Sequence, residues 1–147
     1  MFDWNNWWAL ELASGPSKDM DYLKTVSLYY ETLYRQNIPV DILSYGADLS
    51  SYDLILAPML YMEKENAAER LQEFVKKGGT LITTVMSGLA DENDRCVFGA
   101  YPGKLKEMLG IWVEETDALR PYEKNRMRLT DNLQLFEKEY DCGFLCD

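Results

Sequence analysis

The sequence predicts an α/β domain in which helices flank a parallel sheet. Two continuous apolar segments, residues 53–60 and 80–86, have the composition of strands that are buried on both faces of such a sheet. Residues 63–77 lie between them and place apolar side chains on one side of a helix and charged side chains on the other. Two strands joined by a helix and short connections form a βαβ unit, so we expect the strands to be parallel.

The composition excludes several classes of partner. The chain has 147 residues, of which 27% are charged and 47% hydrophobic, as expected for one globular domain. Its net charge of −10 argues against nucleic acid and anionic membrane surfaces, because both attract clustered Lys and Arg. No apolar segment approaches the roughly 18 residues of a membrane span. The three cysteines have no framework spacing, which favours the cytoplasm over secretion.

The chain lacks the residues that most catalytic sites need. It contains no histidine, so neither a Ser-His-Asp nor a Cys-His arrangement can form within it. The acidic segment at residues 87–95 lacks the spacing of an EF-hand calcium loop. Cys142 and Cys146 are expected on the same face of one strand, but two thiols do not complete a zinc site. We therefore predict no catalytic residue, no metal and no cofactor.

An aromatic segment at residues 2–11 holds three of the four tryptophans. Only Met1 and Phe2 precede Asp3, so we interpret the segment as a loop that leaves the carboxyl end of a parallel strand whose body is truncated. Apolar residues at spacings of three and four then predict a helix over residues 18–36.

Turn and capping residues delimit the other elements. Ser17 is the expected N-cap of the helix over residues 18–36, and Asn37 is expected to end it in a left-handed conformation. The whole chain is predicted as one domain, with residues 116–147 as its less regular, β-rich end. The remaining predicted elements are a strand at 40–43, a loop at 87–101, a short helix at 102–109 ended by Gly110, an edge strand at 111–115, and antiparallel segments at 126–129 and 140–146 around a turn at 130–132.

Two loops are the candidate sites. The tryptophan segment and residues 87–95 both follow predicted parallel strands, and open α/β sheets carry their working surfaces beyond the carboxyl ends of their strands. We therefore expect both loops on one rim. Indole rings stack on sugars, and tryptophan is also enriched in subunit interfaces, so composition leaves both roles open. The candidate residues are Trp4, Asn6, Trp7, Trp8, Ser87, Asp91, Glu92, Asn93, Asp94 and Arg95.

Several motifs, taken in order, resemble those of a known family. The family is the middle, or trimerisation, domain of family 42 β-galactosidases, and the number and order of the matches make the resemblance specific. The matching segments are Phe-Asp-Trp-x-Asn-Trp-Trp at residues 2–8, Ser-Gly-Pro-Ser at 14–17, Ala-Pro-Met-Leu-Tyr at 57–61, Gly-Gly-Thr-Leu at 78–81 and Ser-Gly-x-x-Asp-Glu-Asn-Asp-Arg at 87–95.

The resemblance implies a flavodoxin-like fold similar to class I glutamine amidotransferases but without their catalytic triad. The turn at residues 57–61, where such folds carry a nucleophile, indeed holds no Cys or Ser. The implied role is a non-catalytic oligomerisation domain of an enzyme that hydrolyses terminal β-D-galactose residues in carbohydrate metabolism. The implied partners are the other subunits of a homotrimer, including a neighbouring subunit's catalytic barrel. The ten candidate residues then become subunit-contact or substrate-rim residues, and a galactoside-contacting module is the alternative.

The start of the chain departs from the family pattern. The family's domain has a full first strand before Phe-Asp-Trp, whereas only Met1 precedes that motif here. In a flavodoxin-like order this strand is central, so its truncation leaves backbone groups on both neighbours unpaired. We therefore expect reduced stability or strand exchange, since each buried orphan costs about 1–3 kcal/mol.

Overall fold

The computed structural model describes residues 1–13, 16–17, 19–64, 66–99, 101–129, 138–143 and 145–146. The chain divides into two compact units, Met1–Val113 and Glu114–Asp147. Unit 1 contains α1 (Trp4–Ala13), α2 (Tyr22–Arg35), β1 (Leu54–Ala57), β2 (Met62–Glu63), α3 (Ala67–Lys76), β3 (Thr80–Thr83), β4 (Ala90–Asp91) and α4 (Lys106–Leu109), the last preceded by a 3-10 turn at Gly103–Leu105. Unit 2 contains β5 (Asp117–Ala118), β6 (Asn125–Arg128), β7 (Glu139–Cys142) and β8 (Leu145–Cys146).

The central βαβ unit confirms the predicted α/β class. β1 and β3 pair in parallel, with Ile55 opposite Leu81. α3 connects them and buries Leu71 and Phe74 in the same core as Ile55 and Ala57. Burial of a large apolar side chain stabilises a fold by about 1.5–3 kcal/mol, so this helix–sheet contact contributes substantially to the stability of unit 1.

α3 ends as the sequence predicts. Gly78 adopts a φ of 100°, and the N–H groups of Gly78 and Gly79 donate to the carbonyls of Val75 and Phe74 at 2.9 and 3.1 Å. These bonds form a Schellman motif, which satisfies the last carbonyls of the helix. The helix begins at Ala67, later than the predicted residue 63, because Met62 and Glu63 form the short strand β2.

The prediction that β1 and β3 are buried on both faces is wrong for the face of the sheet opposite α3. Leu54 and Ile82 point to that face and remain exposed. An open, mostly apolar groove of about 450 Å³ lies beside β1, between α2 and residues 38–43. Residues 40–43 run alongside without forming the predicted strand. The apolar composition of β1 therefore predicts the strand correctly but not the exposure of this face.

The aromatic segment forms a helix, so its interpretation as a loop is wrong. Asp3 acts as the N-cap of α1, because its Oδ2 accepts the N–H of Asn6 at 2.9 Å and its carbonyl accepts the N–H of Trp7 at 3.1 Å. Ala9 and Leu10 provide the buried face of the helix. An aspartate placed directly before the helix was the sequence signal for this start.

α2 is shorter than predicted. It begins at Tyr22, with Asp21 rather than Ser17 as N-cap, since Asp21 Oδ1 accepts the N–H of Lys24 at 2.8 Å. Its end confirms the prediction for Asn37, which has a φ of 58°. None of the described helices is long and apolar enough to cross a membrane.

The short helix predicted at residues 102–109 is confirmed, with Gly110 at a φ of 67° at its end. The edge strand predicted at 111–115 is wrong. Within that range only Val113 pairs, and it exchanges backbone hydrogen bonds with Tyr101 at 2.9 and 3.3 Å. This single bridge does not extend into a ladder, and the neighbouring Ile111 and Trp112 are exposed.

Unit 2 consists of two antiparallel pairs. β6 pairs with β7, with Arg126 opposite Asp141, which confirms the antiparallel prediction; β5 pairs with β8. The turn predicted at residues 130–132 lies outside the described residues. Cys142 and Cys146 belong to different strands, so the prediction that they share one face of a single strand is wrong. The strand is interrupted after Cys142, where Gly143 weakens a ladder.

Candidate functional site

An exposed aromatic ridge runs along α1. Trp4, Trp8 and Leu12 follow one another at helical spacing, and 58%, 57% and 84% of their respective surfaces are exposed. Since a helix advances by about 100° per residue, the three side chains lie within about 80° of one another. Large apolar side chains grouped in this way mark a surface that contacts another molecule. We call Trp4, Trp8 and Leu12 the aromatic ridge.

The ridge rests on a layer of further aromatic rings. The Trp4 ring meets the Phe2 ring edge-on at 5.2 Å and lies 5.4 Å from the Trp7 ring. Phe2 in turn stacks on Tyr22 of α2, with ring centres 5.6 Å apart. Each such contact contributes about 0.5–1.5 kcal/mol beyond burial, so Trp4 is held in place rather than free to rotate.

Asn6 fastens α1 to the turn that follows β1. Its side chain is 1% exposed. Its Nδ2 donates to the Tyr45 hydroxyl at 2.6 Å and to the Met59 carbonyl at 3.3 Å, and its Oδ1 accepts the N–H of Met62 at 3.0 Å. Asn6 therefore does not belong to the exposed surface. Its role in this structure is to set the position of the helix that carries the ridge.

A buried ion pair supports the same helix. Lys64 pairs with Asp3, the N-cap of α1, and its Nζ lies 5.2 Å from the centre of the Tyr45 ring. The Tyr22 hydroxyl accepts the N–H of Asp3 at 3.0 Å. Burial raises the pKa of both Tyr22 and Tyr45, so both hydroxyls remain neutral in the physiological range.

The turn after β1 carries no nucleophile. Met59 adopts a φ of 47°, a left-handed conformation that is uncommon for a residue with a side chain. Its N–H donates to Thr84 Oγ1 at 2.8 Å, and its thioether is buried. A thioether cannot serve as a nucleophile of the kind that strained turns present in other enzymes.

Pairing between β2 and β4 brings the second candidate segment, residues 87–95, next to α1. Met62 lies opposite Ala90, and Ala9 of α1 packs against both. Ser87 is buried, where its Oγ accepts the N–H of Leu60 at 3.1 Å and donates to the Thr84 carbonyl at 2.7 Å. Ser87, like Asn6, therefore supports the surface from within.

Residues 91–95 form a tight turn around one carboxylate. Asp91 Oδ1 accepts the N–H groups of Asn93 and Arg95 at 2.8 and 3.0 Å, and Asp91 Oδ2 lies 3.2 Å from Arg95 Nε. The hydrogen bond from the Arg95 backbone is the main reason that the pKa of Asp91 is lowered. Within the described part of the chain, no group of three or more acidic or cysteine side chains could hold a metal ion.

Asp94 is exposed, and its side chain forms a hydrogen bond with Tyr61. Burial raises the pKa of Tyr61 to about 12, and a hydrogen bond to Asp94 adds to the effect. Glu92, Asn93 and the Arg95 side chain remain exposed. The turn thus offers a polar rim beside the aromatic ridge.

A recess of about 870 Å³ separates the turn from α1. Asn5 borders it on the helix side, and Asp91, Glu92 and Arg95 border it on the other. Phe98 also lines the recess, and its side chain is 100% exposed. Phe98 was not among the predicted site residues, although an apolar Val-Phe pair within a polar segment was a usable signal.

Taken together, the geometry defines a mixed α/β domain with an exposed aromatic ridge on α1 and a polar turn at residues 91–95. A family model described as the β-galactosidase trimerisation domain matches residues 1–147. The chain therefore belongs to the family of β-galactosidase trimerisation domains.

The relatives that the chain matches are considerably longer than the chain itself. The chain is 46% identical over its whole length to the β-galactosidase BgaA of Planococcus sp. (strain 'SOS Orange') and covers 22% of that protein. The crystal structure of a β-galactosidase from Bacillus circulans sp. alkalophilus matches the whole chain with a TM-score of 0.92 and 48% identity, over 22% of its own chain. A β-galactosidase from Rahnella sp. R3 matches 99% of the chain, over 22% of its own, with a TM-score of 0.88 and 38% identity. The chain thus spans about a fifth of the relatives that it matches.

Proposed function

We propose that this chain is the non-catalytic oligomerisation domain of a cytoplasmic β-galactosidase and that the aromatic ridge is its central contact with a neighbouring subunit. The observation that carries the proposal is the ridge itself, in which Trp4, Trp8 and Leu12 are exposed together on a helix anchored from beneath. Stable interfaces have such an apolar centre surrounded by a polar rim. The thiols of Cys96 and Cys142 form no disulfide, which supports a reducing compartment.

On this proposal some candidate residues contact the neighbouring subunit, and the others support the contacting residues from below. Trp4 and Trp8 form the centre of the contact, and Glu92, Asn93, Asp94 and Arg95 form the rim. Trp7 and Asp91 are half-buried beneath them, and Asn6 and Ser87 are buried supports. The partner surface is a second subunit of the same enzyme, including its catalytic barrel.

The finer fold we propose is flavodoxin-like, with Met1 and Phe2 as the last residues of its central strand. Met1 donates its amino group to the Leu56 carbonyl on β1, whereas Phe2 donates its N–H to the Leu43 carbonyl on the opposite side, at 2.8 Å. Donation to alternating sides is the pattern of a strand between two neighbours.

The open groove supports the same fold. Thr80 N–H donates to Asp53 at 2.8 Å, so the odd-numbered residues of β1 face β3, and the backbone groups of Leu54 and Leu56 face the groove. An extended segment upstream of Met1 would fill the groove, pair with both edges and cover Leu54. On this proposal the chain is a single domain whose β-rich end begins near residue 116.

Light scattering on the full-length chain tests the proposed function. The unmodified protein is expected to be a trimer, and Trp4→Ala with Trp8→Ala is expected to shift it towards monomers. Leu28→Ala is the matched control, because Leu28 is similarly exposed but lies on α2 and does not belong to the ridge. An unmodified protein that is monomeric at micromolar concentration would contradict the proposal. A saturable change of tryptophan fluorescence with galactose would instead favour the sugar-contacting alternative.

A further inference from the structure

Phe98 is presented to solvent by an anchored segment. The N–H of Val97 donates to the Leu89 carbonyl at 2.9 Å, and Lys106 Nζ donates to the Gly99 carbonyl at 2.6 Å. The residues on both sides of Phe98 are therefore held, yet its ring is fully exposed. A fixed and exposed aromatic side chain is the form that an interface anchor takes, since little conformational entropy is lost when it enters a pocket.

The aromatic ridge separates two recesses of unlike character. One is the recess beside the 91–95 turn, which contains Phe98. The other, about 620 Å³, lies between α1 and α2, and Trp7 and Glu11 border it. Its lining includes the buried Leu10 and Tyr22 and the exposed Leu23, which give the recess an apolar part among its polar side chains. This second recess, which we call the α1–α2 recess, has room for a benzyl side chain.

Symmetry requires two different surfaces on each copy. The interfaces of a cyclic trimer are heterologous, so each copy offers one surface to the copy before it and another to the copy after it. A ridge flanked by two unlike recesses meets this requirement: with the symmetry axis near the ridge, the Phe98 side of one copy faces the α2 side of the next.

Charge repulsion disfavours the alternative in which the same recess of two copies meets across the interface. The described lining of the α1–α2 recess contains Glu11, Asp19 and Asp21 against Lys24, a net charge of −2. Pairing this recess with itself would concentrate acidic groups. The recess beside Phe98 has three acids and three bases, and the side chains of Arg95 and Lys104 extend from it into solvent. Unlike recesses are therefore the less repulsive pair.

We propose that Phe98 of one copy enters the α1–α2 recess of the next copy, with Arg95 facing Glu11 across the interface. The proposal rests on the proposed oligomerisation function and adds the identity and direction of the contact. Phe98 supplies the anchor for the apolar part of the recess, and the charge pair sets its orientation.

Four single variants, one double variant and one control variant of the full-length chain test the contact. Their oligomeric state is measured by sedimentation or light scattering over a dilution series. Phe98→Ala removes the anchor and Leu23→Glu places a charge in the recess. Each is expected to raise the subunit concentration at half-dissociation by roughly tenfold or more. Glu11→Arg and Arg95→Glu should each weaken the trimer, and the two together should restore it to within about threefold of the original. Leu28→Ala lies on the exposed surface of α2 outside the recess, so it should leave the subunit concentration at half-dissociation unchanged.

The outcomes separate this proposal from the one on which it rests. A trimer that survives Phe98→Ala unchanged would overturn the contact and leave the oligomerisation function standing. An unmodified protein that is not a trimer would contradict both the oligomerisation function and the Phe98 contact. If Phe98→Ala dissociates the trimer but Leu23→Glu does not, Phe98 enters another surface of the neighbour, and the assignment of the α1–α2 recess is wrong. Circular dichroism of each variant establishes that its fold is intact.

Discussion

The side-chain oxygen of Asn6 accepts the backbone N–H of Met62 at 3.0 Å, across 56 positions of sequence. This one bond joins the helix that carries the aromatic ridge to β2, which pairs with β4 at the start of the 91–95 turn. Both parts of the candidate surface therefore depend on a residue that is itself hidden from solvent. Substitutions at Asn6 should act on the whole surface at once.

Asn6→Ala is expected to destabilise the chain by about 2–4 kcal/mol, because it leaves the buried N–H of Met62 without its acceptor and opens a small cavity. Urea unfolding measures the change. Asn5→Ala is the matched control on the exposed side of the same helix and should change stability by no more than about 0.5 kcal/mol. Equal effects at the two positions would contradict the role assigned to Asn6.

Asn6→Asp should make stability depend on pH in a defined direction. A carboxylate at this buried position has its pKa raised, because burial disfavours the charged form. Its contribution to stability is then largest at low pH, where it is protonated, and is lost as pH rises through the raised pKa. The free energies of unfolding of the Asn6→Asp variant and of the unmodified chain should therefore diverge as pH increases from 4 to 8, with the variant becoming the less stable. Divergence in the opposite direction would show that the site accommodates a negative charge.

The amino group of Met1 predicts a second pH dependence in the 147-residue chain. Burial lowers its pKa from 8.0 to about 6, so the unfolded chain binds more protons between these values. Stability should therefore rise with pH between about 6 and 8, by roughly 2–3 kcal/mol in total. Acetylation of the amino group, or extension of the chain upstream of Met1, removes the ionisable group. A rise of the same size after acetylation would assign the effect to another group.

Gly79→Ala should be destabilising for a steric reason alone. An added Cβ would lie 2.3 Å from the Phe74 ring, in the core contact between α3 and the sheet. We expect a loss of about 1–3 kcal/mol as the ring is displaced. Gly46→Ala is the control, since a Cβ there meets nothing within 4 Å. That variant should be neutral or slightly more stable, and a thermal midpoint lowered equally in both would contradict the steric account.

Much of the βαβ unit could be predicted because local signals and the final fold agree there. The continuous apolar segments, the amphipathic helix and the paired glycines at 78 and 79 each indicate the element that forms. The interpretation of residues 2–11 failed because three tryptophans and two asparagines have no clear helical periodicity. The helix depends on a cap at Asp3 and on a distant partner at Met62, neither of which periodicity describes.

The sequence by itself determined that this chain is an α/β domain of the β-galactosidase trimerisation family with no histidine for catalysis. It also singled out two segments, residues 2–11 and 87–95, as the candidate surface. Only the tertiary structure decided which of their residues face outwards: Trp4 and Trp8 are exposed, Asn6 and Ser87 are buried, and Phe98 joins the surface. The physical reason is that exposure depends on packing partners far away in sequence. The sequence of α1 has no clear amphipathic periodicity, so its buried face is set by the structure that packs against it.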